Sequence, residues 1–122
     1  MQVPKILLTG KIIIDNINKS FKNASIHIYL EDVSLLDREA QIIAEKTIQF
    51  VSCEKGIKKQ LQFVIHQEKI KIDQRSNYSI RVHIDLKNNK LINKGDYLTV
   101  RNYPVLTFGF PNNITVHIRE VK

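Results

Sequence analysis

Tyr78-Ser79-Ile80-Arg81-Val82-His83-Ile84-Asp85-Leu86 puts Tyr78, Ile80, Val82, Ile84 and Leu86 on one side of an extended chain and Ser79, Arg81, His83 and Asp85 on the other. Successive side chains of a strand point to opposite faces, so this alternation predicts a strand with one buried face. The same period recurs elsewhere. Ile26, Ile28 and Leu30 alternate with Ser25, His27 and Tyr29; Ile114, Val116 and Ile118 with Thr115, His117 and Arg119; Leu61, Phe63 and Ile65 with Gln62 and Val64. Composition points the same way, with 19 Ile and 9 Val against 10 Leu and 3 Ala in 122 residues. Side chains branched at Cβ lose freedom in a helix and suit a pleated surface, which all but excludes a helical bundle.

Working outward, the opening strand from Lys5 to Ile14 carries Gly10 in its middle, the mark of a bulge, a bend or a close backbone approach. Breaks fall at 15–23, 52–58, 67–77, 87–90 and 93–96. The last two hold Asn88-Asn89 and Lys94-Gly95, which tolerate positive φ, so 78–86, 90–92 and 97–102 are expected to run as a meander. Ser34 with Asp37 could cap a helix, but 41–50 also reads as extended chain; a loop over 34–40 followed by a strand is preferred. No repeat, linker or low-complexity tract interrupts residues 1–122, which are read as one domain. The expected fold is an all-β, antiparallel β-sandwich of about seven strands, immunoglobulin- or prealbumin-like.

The formal charge is +7, spread as +3 over residues 1–22, −4 over 23–54, +4 over 55–75 and +4 over 76–122. Most lysines fall in expected turns, where they solubilise and protect strand edges. Nucleic acid is not the expected partner, since there is no binding motif and no cluster of aromatics for stacking. Cys53 is the single cysteine, so no internal disulfide is possible, and its place after Val51-Ser52 suggests a buried structural thiol. Met1-Gln2-Val3-Pro4-Lys5 lacks the apolar stretch of a signal peptide and no run is long enough to span a membrane, so the chain as written reads as soluble.

Four histidines raise the question of a metal. His27, His83 and His117 are expected on the outer faces of separate strands, and without ligand spacing they read as isolated surface residues; no metal and no cofactor is expected. Glu31, Asp32, Asp37 and Glu39 lack the alternation of a calcium loop. There is no phosphate loop, nucleophile elbow or Cys–His spacing, and no enzymatic activity is expected.

Three segments in series resemble a family. Leu30-Glu31-Asp32-Val33-Ser34 ends an alternating strand; Ile72 to Val82 carries Arg75 and Tyr78 at the start of the longest alternation; Asn102-Tyr103-Pro104-Val105-Leu106-Thr107 is followed by Pro111-Asn112-Asn113-Ile114. Their order and spacing, from about Gly10 to Val121, are similar to YbaY/YscW-type bacterial lipoproteins. The resemblance implies a small β-sandwich of the envelope, in the periplasm or lipid-anchored at the outer membrane. It also implies the role of a pilot in type III secretion, which binds an end segment of a secretin subunit and helps it assemble. The acylated cysteine of such lipoproteins has no counterpart near Met1. Either a leader has been removed or this is a soluble relative, for which the cytoplasm stays open.

The first expectation is therefore a non-enzymatic module that takes a protein segment on a sheet edge or in an apolar groove. The candidate partner-binding residues are Tyr103, Pro104, Val105, Phe108 and Phe110, which combine three aromatics with a constrained backbone. The alternative is a basic β-domain holding nucleic acid or an anionic envelope polymer through Lys55, Lys58, Lys59, Lys69 and Lys71. A carbohydrate-binding sandwich finds little support in a chain with no tryptophan.

Overall fold

The computed structural model describes residues 5–35, 37–67 and 69–122. Among these residues eight strands follow in order: β1 (Ile6–Ile14), β2 (Phe21–Asp32), β3 (Gln41–Cys53), β4 (Lys59–His66), β5 (Tyr78–Asp85), β6 (Tyr97–Thr99), β7 (Pro104–Val105) and β8 (Asn113–Glu120). The all-β expectation holds, and 34–40 is a loop as far as it is described; Leu36, like Met1 to Pro4, lies outside the described residues.

The sandwich of two antiparallel sheets is corrected to one curled, barrel-like sheet of mixed pairing, in the order β3-β2-β5-β6-β8-β1-β4, with β7 pairing the start of β5. The parallel β1–β8 ladder, running from Thr9 opposite Asn113 to Ile14 opposite Ile118, joins the two halves that a sandwich would keep apart. The other ladders are antiparallel. The sheet thus has two ends. Loops 15–20, 54–58 and 86–96 form the upper end, and loops 33–40, 67–77 and 106–112 the lower end.

The interior is filled by the alternating apolar residues. Ile12 and Ile14 of β1, Ile26, Ile28 and Leu30 of β2, Ile80, Val82 and Ile84 of β5, and Val116 and Ile118 of β8 are all buried. Gly10 is a close approach: the Phe63 ring occupies the space of a Cβ, and the Ile114 carbonyl oxygen would sit 3.0 Å from it. A glycine here lets an aromatic ring from the neighbouring strand lie across the backbone.

Two sequence expectations give way. β2 and β5 are buried on both faces, so Ser25, His27, Glu31, Ser79, His83 and Asp85 are covered rather than solvated. The meander also fails, because 90–92 forms no strand. The carboxylates of Asp85 and Asp96 take the backbone N–H groups of Leu86, Asn89, Lys90 and Asn93, leaving those donors unavailable to a ladder.

Gly10→Ala should cost about 1–3 kcal/mol by forcing the Phe63 ring aside. In a urea-denaturation double-mutant cycle, Phe63→Leu should recover part of that loss, and additive effects would contradict the close approach.

Candidate functional site

Cross-strand pairing sets the polar side of the β2–β5 ladder. His27 lies opposite His83, Tyr29 opposite Arg81 and Glu31 opposite Ser79. His27 Nε2 is 3.0 Å from Asp85 Oδ2, and His83 Nε2 is 2.8 Å from Asp96 Oδ2. The Arg81 guanidinium donates to both Glu31 oxygens at 3.1–3.2 Å and lies 4.2 Å from the centre of the Tyr29 ring. Burial pushes the Asp85 carboxyl upward, but the His27 hydrogen bond and the Lys90 and Asn89 amides outweigh it, and the net pKa falls below the ordinary value.

His83, Asp85 and Asp96 offer three ligand atoms within 4.8 Å of one another, a grouping that could hold a metal ion. Each carboxylate already takes two backbone donors and one imidazole, so the arrangement works as a latch on loop 86–96. His117 does not join them. Its Nδ1 is 2.8 Å from Asp15 Oδ2, on β8. Cys53 is buried, and burial raises its thiol pKa, as a structural thiol should behave.

The 103–110 segment is divided by the structure. Tyr103 and Val105 are buried, and the Tyr103 hydroxyl donates to the His117 carbonyl at 3.2 Å and accepts the His117 N–H at 2.9 Å. Pro104 and Val105 make β7 against Ser79 and Tyr78. Phe108, at φ 56° and 61% exposed, and the exposed Phe110 project from the lower end. The lysine set is also divided. Lys55, Lys58 and Lys59 lie at the upper end of β4 and Lys69 and Lys71 beyond its lower end, about 25 Å apart for eight extended residues.

The remaining feature is the seam of the barrel. β3 and β4 are the two edges of the sheet, and the Lys46 ammonium crosses between them to the Val64 carbonyl at 3.0 Å. Below that crossing opens a groove of about 680 Å³ of mixed lining, in which Ile42, Ile43, Ala44 and Ile70 stand beside Gln41, Glu45, His66 and three lysines, Lys46, Lys69 and Lys71, and more of the surface is polar than apolar. Sequence reading missed this groove. Ile42-Ile43-Ala44 is visible as an apolar run, but which strands lack a neighbour is a property of the closed sheet.

An all-β barrel with an unsealed seam is a shape suited to holding another chain. Residues 4–118 match the family of type III secretion system lipoprotein chaperones (YscW), and the chain belongs to that family. A solved structure of an alternative pilotin from the type II secretion system of Vibrio cholerae is similar over 94% of this chain and 96% of that one, at 25% identity and a TM-score of 0.72. No curated protein sequence matches the chain.

Asp85→Asn should lower stability by about 2 kcal/mol at neutral pH, since it unpairs His27 and weakens two amide contacts. Because the folded-state pKa is depressed, the carboxylate's contribution is complete above about pH 4 and lost as pH falls through the lower folded value. Urea titrations of wild type and variant should therefore converge below about pH 4.

Proposed function

We propose that the protein is a non-enzymatic pilot chaperone of the bacterial envelope that holds an end segment of a secretin subunit in the groove between β3 and β4. The observation that carries this reading is the seam itself: a groove open between the two strand edges of the sheet, with Ile42, Ile43 and Ile70 set among polar and charged side chains. Membership in the lipoprotein chaperone family and the likeness to a pilotin support the choice of partner. Unpaired backbone groups of an edge strand can take an added segment while alternate side chains enter pockets beside it. Three lysines against one glutamate, Glu45, in the lining favour a segment that carries acidic residues beside its apolar ones.

Phe108 and Phe110 belong to this reading as a second contact. They lie at the lower end, where β3 begins and β4 finishes, the same end as the groove. Tyr103, Pro104 and Val105 then act by anchoring the loop that presents them. The reading puts the protein in the periplasm or at the outer membrane.

Fluorescence anisotropy with labelled peptides from the ends of a secretin subunit tests it. Ile42→Glu should weaken binding about tenfold or more, as expected for an apolar contact replaced by charge at the centre of an interface. Phe108→Ser with Phe110→Ser should weaken it less and leave the melting temperature unchanged. Binding indifferent to both changes would reject the groove.

A further inference from the structure

The charge of this protein is polarised along the barrel. The three upper loops hold six lysines, Lys19, Lys55, Lys58, Lys87, Lys90 and Lys94, against three acids, whereas the three lower loops hold four basic and four acidic residues. Of the three upper acids, Asp96 is buried against His83, and Asp15 is bound by His117 and, at 3.7 Å, by Lys58. The upper end therefore presents an excess of ammonium groups to solvent.

The same loops expose large aliphatic side chains. Leu91 is 65%, Ile92 51% and Ile57 58% exposed. Each sits among lysines, in Lys90-Leu91-Ile92-Asn93-Lys94 and Gly56-Ile57-Lys58-Lys59. A solvated turn has no need of paired branched aliphatics at its tip.

Loop 86–96 is also held in shape before it meets anything. Besides the Asp85 and Asp96 anchors, Leu91 N–H donates to Asn89 Oδ1 at 3.0 Å and Asn89 Nδ2 to Asn93 Oδ1 at 3.1 Å. The Gly95 N–H is bound to the Val121 carbonyl at 2.9 Å, and the Val121 N–H to the Asp96 carbonyl at 2.7 Å. Asn88, Lys90 and Gly95 adopt positive φ. A preformed loop loses little entropy on docking.

We infer that the upper end is a membrane-docking surface, in which Leu91, Ile92 and Ile57 enter the headgroup region of a bilayer containing anionic phospholipid while the surrounding lysines bind its phosphates. Exposed aliphatics alone would fit many surfaces. Their enclosure by lysines suits a broad surface that is anionic at its face and apolar just beneath, as such a bilayer is and a nucleic acid is not. The inference is independent of the secretin reading, since neither the groove nor Phe108 takes part.

Co-sedimentation of the full chain with vesicles of phosphatidylethanolamine and phosphatidylglycerol tests it, with phosphatidylcholine vesicles as the neutral control. Binding to the anionic vesicles should exceed the control and fall with added salt. Leu91→Ser with Ile92→Ser should reduce the partition coefficient about tenfold or more. Lys87→Gln with Lys90→Gln and Lys94→Gln should abolish the preference for phosphatidylglycerol. Arg38→Gln with Arg75→Gln, at the lower end, should change nothing. All these positions are exposed, and unchanged circular dichroism and melting temperature verify folding. No binding above the neutral control, or equal binding by the loop variants, overturns the inference. Salt-sensitive binding of duplex DNA without vesicle binding overturns it too and makes the upper end a polyanion surface.

Discussion

The β2–β5 ladder is buried on both faces, so every polar side chain that alternation turns outward on these strands must find a partner. His27 and His83 take Asp85 and Asp96, Glu31 takes Arg81, and Ser79 Oγ accepts the Tyr103 N–H at 3.1 Å. Leaving one such group unpaired in a covered site costs about 1–3 kcal/mol, a large part of the margin of a small domain. The connections are shaped accordingly. Loop 86–96 folds back to deliver Asp96, and the chain after β6 returns so that the Tyr103 backbone meets Ser79 and the Thr107 hydroxyl meets the Ser76 carbonyl. All the buried polar side-chain atoms among the described residues have partners.

Covering that ladder leaves the sheet with its edges elsewhere, at β3 and β4. A long exposed edge invites uncontrolled pairing. Two features blunt it here. The Lys46 ammonium spans the seam, and two residues of β3, Gln49 and Phe50, bulge opposite Ser25, with Phe50 forced to φ 59°. A further irregularity falls in the lower half, where Ile43 is left between the Leu30–Ala44 and Glu31–Ile42 pairs, beside the groove. Regular pairing along this edge is thereby interrupted in both halves.

Much of the interior was legible in the sequence because it rests on local alternation: Ile80, Val82 and Ile84 face inward as their spacing predicts, and Gly10 marks a close approach. The outer faces were misread for a physical reason. Alternating His, Arg and Asp have the pattern of a solvated face, and only the arrival of Asp96 from across the loop turns them into a buried one. Closure was equally invisible. The β1–β8 ladder joins residues about a hundred positions apart, and no local signal distinguishes it from a sandwich. The series of motifs around Glu31, Tyr78 and Tyr103 carried the family, although Tyr103 and Val105 are themselves buried. The groove depended on knowing which strands are edges.

The latch also bears on where the +7 charge of the chain stands. Loop 86–96 is tied to the upper end by two buried carboxylates, Asp85 and Asp96, which bind the N–H groups of Leu86, Asn89, Lys90 and Asn93. Those bonds fix the backbone that presents Lys87, Lys90 and Lys94 to solvent, while the lower loops hold equal numbers of acids and bases. The lower half of the β3–β4 seam opens a strand's length from these loops and carries lysines of its own, Lys46, Lys69 and Lys71. A chain seated in the groove and an anionic surface under the upper loops would occupy opposite ends of one rigid sheet, so neither would obstruct the other.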